Sequence, residues 1–231
     1  MKRILLLISA VSLALAPAAS ARVVELGSKN PAATPSCPSD PCEVLARVTG
    51  YPGRAGTVKN PYYIRRDGYL VAFSVPLGKP TDDQITYFTD DPAGPQFGDP
   101  EVQISIVRAG DTRKTRLNHR LLQQSPAFEV SRYLGSTPTF ALTDPIRVKK
   151  GNIVALTSTT WLPAFANNIG NGNWWRSSRA KDHCETPESL SQFALMTRLK
   201  VSVFGCTYHG ARPLYTVTYI PDNHPTDGKK Q

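Results

Sequence analysis

The sequence predicts an all-β protein: an antiparallel β-sandwich, jelly-roll-like, with one or two short helical insertions. Three observations carry that expectation. Short runs alternate apolar and polar residues with a period of two, as at Val102, Ile104 and Ile106. Turn-forming Gly, Pro, Asn and Asp separate the runs, and only two segments carry helix-start signals. The pattern amounts to about eight to ten short strands without an internal repeat or low-complexity block, which two packed sheets accommodate naturally.

The chain opens with Lys2 and Arg3, an apolar run from Ile4 to Leu15, and the small residues Ala19, Ser20 and Ala21. That order is expected of a cleavable secretory signal over residues 1–21, with Arg22 first after cleavage. The apolar run falls short of the roughly 20 residues of a membrane helix, and no other stretch approaches that length, so no membrane span is expected. Residues 22–36, with Gly27, Asn30, Pro31 and Pro35, read as a flexible leader. Residues 37–220 read as one sandwich domain and residues 221–231 as a disordered tail.

Within the domain, residues 43–50 alternate, with Val44, Ala46 and Val48 on one face, and Tyr51-Pro52-Gly53 ends the run. Residues 62–66 lead into Asp67-Gly68, a two-residue hairpin signal, after which Tyr69, Val71, Phe73, Val75 and Leu77 share a face. Thr81 and Gln84 have capping-box spacing and Asp82 and Asp83 occupy the first turn, so a short helix runs to about Phe88. Residues 90–95 are loop. Residues 102–108 form a strand closed by Ala109-Gly110-Asp111, and Arg113, Lys114, Arg116, His119 and Arg120 make the next segment a basic, exposed ribbon. Residues 130–134 read as a short extended piece. Residues 139–142 and 146–149 run into Lys150-Gly151-Asn152, and residues 153–161, rich in β-branched side chains, complete the clearest hairpin. Thr186-Pro187-Glu188 reads as the start of a brief helix, and residues 201–206 and 214–219 are the last strands.

Cys37, Cys42, Cys184 and Cys206 are the only cysteines. Export places them where an even number pairs into disulfides. Of the possible pairings, Cys37 with Cys42 and Cys184 with Cys206 are favoured: the first closes a loop around Pro38 and Pro41, the second pins the segment after the tryptophans. A zinc set from His183, Cys184, Cys206 and His209 is the competing use, but it lacks a C-x-x-C pair.

Motifs with a fixed catalytic spacing are missing. The chain has no G-x-S-x-G elbow, phosphate-binding G-x-x-x-x-G-K-[ST] or H-E-x-x-H. A general base would have to be His119, His183, His209 or His224, and each reads equally as a surface or hydrogen-bonded histidine. The loop carboxylates Asp90, Asp91, Asp99 and Glu101 could serve glycoside hydrolysis or hold a structural calcium ion, and a solvated acidic loop is the plainer reading. No cofactor is expected.

The strongest candidate site is the Asn/Gly-rich loop with its tryptophans. Trp161 ends the long hairpin, Asn167, Asn168, Asn171 and Asn173 follow, and Trp174, Trp175 and Arg176 come directly after. Aromatic faces stack on sugar rings while amides and guanidinium groups bond hydroxyls, so Trp161, Asn167, Asn171, Asn173, Trp174, Trp175 and Arg176 are the expected ligand residues. The competing reading is a lid of aromatics on the sandwich core. The formal net charge of +9, part of it from Lys2 and Arg3 in the signal, suits an anionic or neutral extracellular glycan, and it also serves solubility. Export argues against nucleic acid, and the basic ribbon reads as a charged edge that resists sheet-to-sheet aggregation.

On three stretches the chain resembles a group of exported bacterial β-sandwich proteins with no established activity: DGYLVAFSVPLGKP from Asp67, QSPAFEVSRYLGSTPTFAL from Gln124, and VKKGNIVALTSTTWLPAFA with WWRSSR after it. The resemblance spans residues 44–218 and implies a shared domain; it carries over no catalytic residue. The expectation from sequence is therefore a secreted, non-enzymatic binding or structural sandwich that recognises envelope or extracellular carbohydrate. An exported hydrolase or lyase acting on polysaccharide is the alternative.

Overall fold

A computed structural model describes residues 22–184 and 193–222. The expected signal, the Thr186-Pro187-Glu188 turn and the tail from residue 223 on, with His224, lie outside the described residues. Of the residues expected in a disordered tail, Pro221 instead ends β15 (Thr216–Pro221) and Asp222 accepts a two-pronged bond from Arg147. The chain is an all-β, sandwich-like fold of two large antiparallel sheets and one two-stranded ribbon. The smaller sheet has the order β1 (Val24–Leu26), β15 (Thr216–Pro221), β4 (Gly68–Ser74), β8 (Thr139–Val148). The larger runs β12 (Val201–Val203), β6 (Asn118–Gln124), β5 (Glu101–Ala109), β9 (Ile153–Leu162), β2 (Leu45–Ala55), β11 (Trp174–Ser177), β13 (Cys206–His209). Short strands β3 (Val58–Lys59) and β7 (Phe128–Glu129) pair with β2 and β5, and β10 (Phe165–Ala166) pairs with β14 (Arg212–Pro213).

Alternation along β9 shows how one strand serves both faces. Val154 and Leu156 point inward to the core between the sheets, with Ile104, Ile106, Phe73, Leu70 and Val217. Ile153 and Ala155 point outward and are capped by Met196, Phe204 and Leu121. Further along the outer face, Trp161 packs with Ala46 and Phe97 under the helix α1 (Asp82–Thr89) through Ile85 and Phe88. Between these apolar patches runs a row of buried hydroxyls: Thr49 Oγ1 lies 2.8 Å from Thr157 Oγ1, which lies 2.6 Å from Ser105 Oγ, and that oxygen accepts from Gln124 Nε2 at 3.0 Å. Each hydroxyl answers the next, so the polar row is buried without orphaned groups.

The helix forms where its capping box was read: Thr81 accepts from the Gln84 backbone and Gln84 returns the bond. Other expectations need correction. Residues 22–36 are not simply a flexible leader, because Val24–Leu26 pair in register with β15 and Ser36 is buried. Asp67-Gly68 makes no hairpin; β4 pairs with β15 and β8 instead. Gly68 is needed for close approach, since a Cβ there would lie 2.3 Å from the Ile220 carbonyl. In β4 a bulge between Leu70 and Ala72 shifts the phase, so Leu70 and Phe73 are buried while Tyr69 is exposed. In β2 the irregularity falls at Arg47, with φ +45°, which turns Ala46 and Val48 to opposite faces. Residues 131–133 form a 3-10 turn rather than an extended piece.

The two sheets differ in width, and the mismatch leaves part of the larger one uncovered. Leu121 and His119 of β6 face outward, so Asn118, Arg120 and Leu122 face the inter-sheet side, where Leu122 still touches the core. Beyond it, Val201 pairs with Arg120 and Val203 with Asn118, and both valines are exposed. Charge is unevenly spread along the strands. The Ile153 end of β9 carries Arg108, Arg120, Lys149 and Lys150 with Asp67 and Asp111 among them; the Leu162 end carries Glu43, Asp82, Asp83, Asp99 and Glu101 with Arg47 and Arg179.

Candidate functional site

The tryptophan segment is split by strand alternation. On β11, Trp174 and Arg176 lie on one face and Trp175 and Ser177 on the other. Trp161 is fully buried: its ring stacks on Phe88 with centroids 5.1 Å apart, and its Nε1 donates to the Gly98 carbonyl at 2.8 Å. It is a core residue. Trp174 lies across Gly53, where even a Cβ would sit 1.9 Å from the ring, and Arg176 covers it at 5.5 Å while donating to Thr207. Asn173 is buried as a turn organiser: Oδ1 accepts from the Gly56 amide at 3.1 Å, and Nδ2 donates to the Ile169 carbonyl at 2.6 Å. These four residues do not share a site.

Trp175, Asn167 and Asn171 do come together, on a cleft of about 1120 Å³ at the Leu162 end of the larger sheet. Leu45, Ala46 and Val48 of β2 line it on either side of the irregularity at Arg47. Phe165, Trp175 and Tyr208 make one wall, and Tyr87, Phe88 and Phe97 make the other. The first wall follows from pairing: Trp175 is directly opposite Tyr208 on β13, the rings stack at 4.8 Å, and Phe165 meets the indole edge-on at 5.5 Å. Asn167, Asn168, Asn171, Glu43 and His209 supply polar groups around it, with Arg179 beside them. Arg179 is buried and donates from Nη2 to the Ala46 carbonyl at 2.6 Å; burial pulls its pKa below the ordinary arginine value. The Trp175 Nε1 is buried with no hydrogen-bond partner.

Both disulfides form in the favoured pairing, and both touch this cleft. Cys42 of the Cys37–Cys42 bridge and Cys184 of the Cys184–Cys206 bridge are among its lining residues. The bridges therefore tie loops on two sides of the opening to the sandwich. With all four sulfurs paired, the zinc alternative has no thiolates to use.

The remaining candidates are dispersed. Asp91 accepts from the Ala93 amide, and Glu101 accepts from the Thr159 hydroxyl at 2.5 Å. Among the described residues, no group of three or more His, Cys, Asp and Glu side chains assembles to hold a metal. Glu43 is the one carboxylate among the described lining residues of the cleft. His119 lies far from it, buried against Tyr51 and Phe204.

Sequence reasoning found the indole of Trp175 and the two asparagines, singled out His209 only as a possible base or zinc ligand, and missed Tyr87, Phe88, Phe97, Tyr208 and Glu43. No local pattern joins those residues; the β11–β13 pairing and the helix packing do. No protein-family model matches the chain, and no curated protein matches it. Among the described residues no helix is long and apolar enough to cross a membrane.

Proposed function

We propose that the protein is an exported, non-enzymatic binding module whose cleft takes a neutral carbohydrate, presented with the apolar face of its rings against the aromatic walls. One observation carries the reading: aromatic walls and the apolar residues of β2 are ringed by the amides of Asn167, Asn168 and Asn171. Sugar rings offer C–H faces to aromatics and hydroxyls to amides, so such a cleft matches them on both counts. The exposed Tyr87 and half-buried Phe88 and Tyr208 are the available stacking surfaces; Trp175 backs Tyr208 and Trp161 backs Phe88.

Charge narrows the ligand. Glu43 on the lining and Asp82, Asp83, Asp90 and Asp91 on and beside α1 oppose a polyanion, while Arg179 on the lining and Arg47 over the Phe97 ring oppose a polycation, so the neutral half of the expected partner class is favoured. Glycoside hydrolysis by a carboxylate pair would need a second acid facing Glu43 across the opening, and the described lining residues supply none. Export and the resemblance to exported bacterial sandwich proteins belong to the same proposal, supported by the two disulfides.

Titration of intrinsic fluorescence with neutral wall and matrix oligosaccharides tests it, because Trp175 reports on the cleft. A saturable change is expected, weakened about tenfold by Tyr87→Ala or Asn171→Ala at unchanged fold. Absence of saturable binding across neutral glycans, with the fold intact, would overturn the reading.

A further inference from the structure

The uncovered part of the larger sheet is its β12 edge, whose residues are not among the cleft lining and which leads through Phe204 and Gly205 into β13. Leu199, Val201 and Val203 are 58%, 56% and 49% exposed. Val201 and Val203 sit on edge strand β12, on the inter-sheet side, where the four-stranded sheet does not reach. Leu199 occupies the tight turn just before that strand, with φ +63°. A turn needing a left-handed residue is best served by Gly or Asn. Here a large aliphatic side chain holds the position and stays more than half exposed.

Cations surround these aliphatics. Across the sheet, Val201 faces Arg120, Arg120 faces Arg108, and the Arg108 guanidinium reaches over Gly151, which brings in the exposed Lys149 and Lys150. Lys200 lies between Leu199 and Val201. Two acids share the field: Asp111, 4.0 Å from Arg108 and largely solvated, and Asp67, which accepts from the Lys150 backbone amide at 2.8 Å; the cations still outnumber them. Projecting aliphatics inside a basic field have a particular fit. Apolar burial and attraction to anionic headgroups add together at a bilayer surface, whereas a soluble polyanion has no use for the aliphatics. A second copy docked on the same face by two-fold symmetry would bring Arg108 and Arg120 against their equivalents, which like-charge repulsion opposes.

We infer that this overhang is a peripheral docking surface for anionic lipid: Leu199, Val201 and Val203 enter the interfacial layer while Arg108, Arg120, Lys149 and Lys150 engage headgroup phosphates. The surface is separate from the cleft and does not depend on what the cleft binds.

Co-sedimentation of the protein with vesicles tests the inference. Phosphatidylcholine vesicles containing about one-third phosphatidylglycerol should bind at least tenfold more tightly than pure phosphatidylcholine, and added salt should weaken the binding. Arg108→Glu with Arg120→Glu should abolish it. Leu199→Gly, which suits the turn's backbone, should weaken it several-fold while circular dichroism and thermal unfolding stay as in the parent. Equal binding to both vesicle types would overturn the proposal, as would indifference to Leu199→Gly. Binding to a soluble polyuronate that matches the anionic vesicles and ignores the aliphatics would replace it with a polysaccharide surface, and concentration-dependent self-association lost in the Arg variant would replace it with an interface between copies.

Discussion

Single residues show where burial has set the chemistry. His119 is held by two partners: its Nδ1 lies 3.0 Å from the Leu117 carbonyl, so that nitrogen carries the proton, and its Nε2 accepts from the Tyr51 hydroxyl at 2.8 Å. Burial drives its pKa down from 6.5 to about 4, and the same cause pushes the Tyr51 hydroxyl well above its ordinary value. The folded ring is therefore neutral where an unfolded one would protonate. As pH falls through 6.5 the unfolded state gains the proton first, and stability drops until the folded ring titrates near 4. The expected loss is on the order of 3 kcal/mol across that window. Urea unfolding at pH 7 and pH 4 should show it, and His119→Gln should flatten the slope; an unchanged slope would count against the buried neutral ring. Leu199 makes a different prediction. Relief of about 1–2 kcal/mol of left-handed strain is offset by about 1 kcal/mol of added chain entropy. Leu199→Gly should thus leave the unfolding free energy within about 1 kcal/mol of the parent, which chemical denaturation would check.

At the level of elements, the row Thr49, Thr157, Ser105 and Gln124 joins β2, β9, β5 and β6 through side chains as well as backbone. Thr157→Val keeps the shape but strips the central hydroxyl from both neighbours. A loss of about 1–3 kcal/mol is expected, larger than for the same change at exposed Thr139. The Cys184–Cys206 bridge spans 22 residues and fastens the chain beside the cleft. Replacing both cysteines with alanine should cost about 3 kcal/mol on the chain-entropy model, and should also loosen ligand binding. These elements also show what could be read in advance. The capping box at Thr81 and the cysteine pairing rest on local spacing, and local spacing is visible in a sequence. The turn at Lys150-Gly151-Asn152 is local too, but the expected hairpin does not form there: β8 pairs with β4 in the smaller sheet and β9 with β5 and β2 in the larger, so the chain crosses between sheets at this turn. The β4 phase was misread because a bulge between Leu70 and Ala72 leaves no mark in alternation. Residues 24–26 were read as leader because so short a strand has no periodicity of its own; its partner lies almost the whole chain away, on β15. The cleft was only half legible for the same reason: Trp175 and Asn171 announce themselves, but Tyr208 and Phe97 become cleft residues only through pairing and packing that no window of sequence contains.

The whole molecule is a sandwich with unequal layers and unequal ends. The narrower sheet covers the middle of the wider one and leaves β12 bare. Arg108, Arg120, Lys149 and Lys150 share one end of β5 and β9 with Asp67 and Asp111, while the acids on and beside α1 share the other with Arg47 and Arg179. Association of the basic patch with a charged surface is sensitive to ionic strength, since the Debye length is about 8 Å at physiological salt. Approach to an anionic surface should slow steeply as salt rises, and stopped-flow mixing with charged vesicles would measure it. The ten residues of β9 run from one pole to the other, roughly 30 Å of continuous backbone. A flexible tether of that reach would let two held objects wander and dilute each other. A hydrogen-bonded strand in mid-sheet does not, so the protein behaves as a rigid strut: whatever one pole grips stands at a fixed height above whatever the other pole touches.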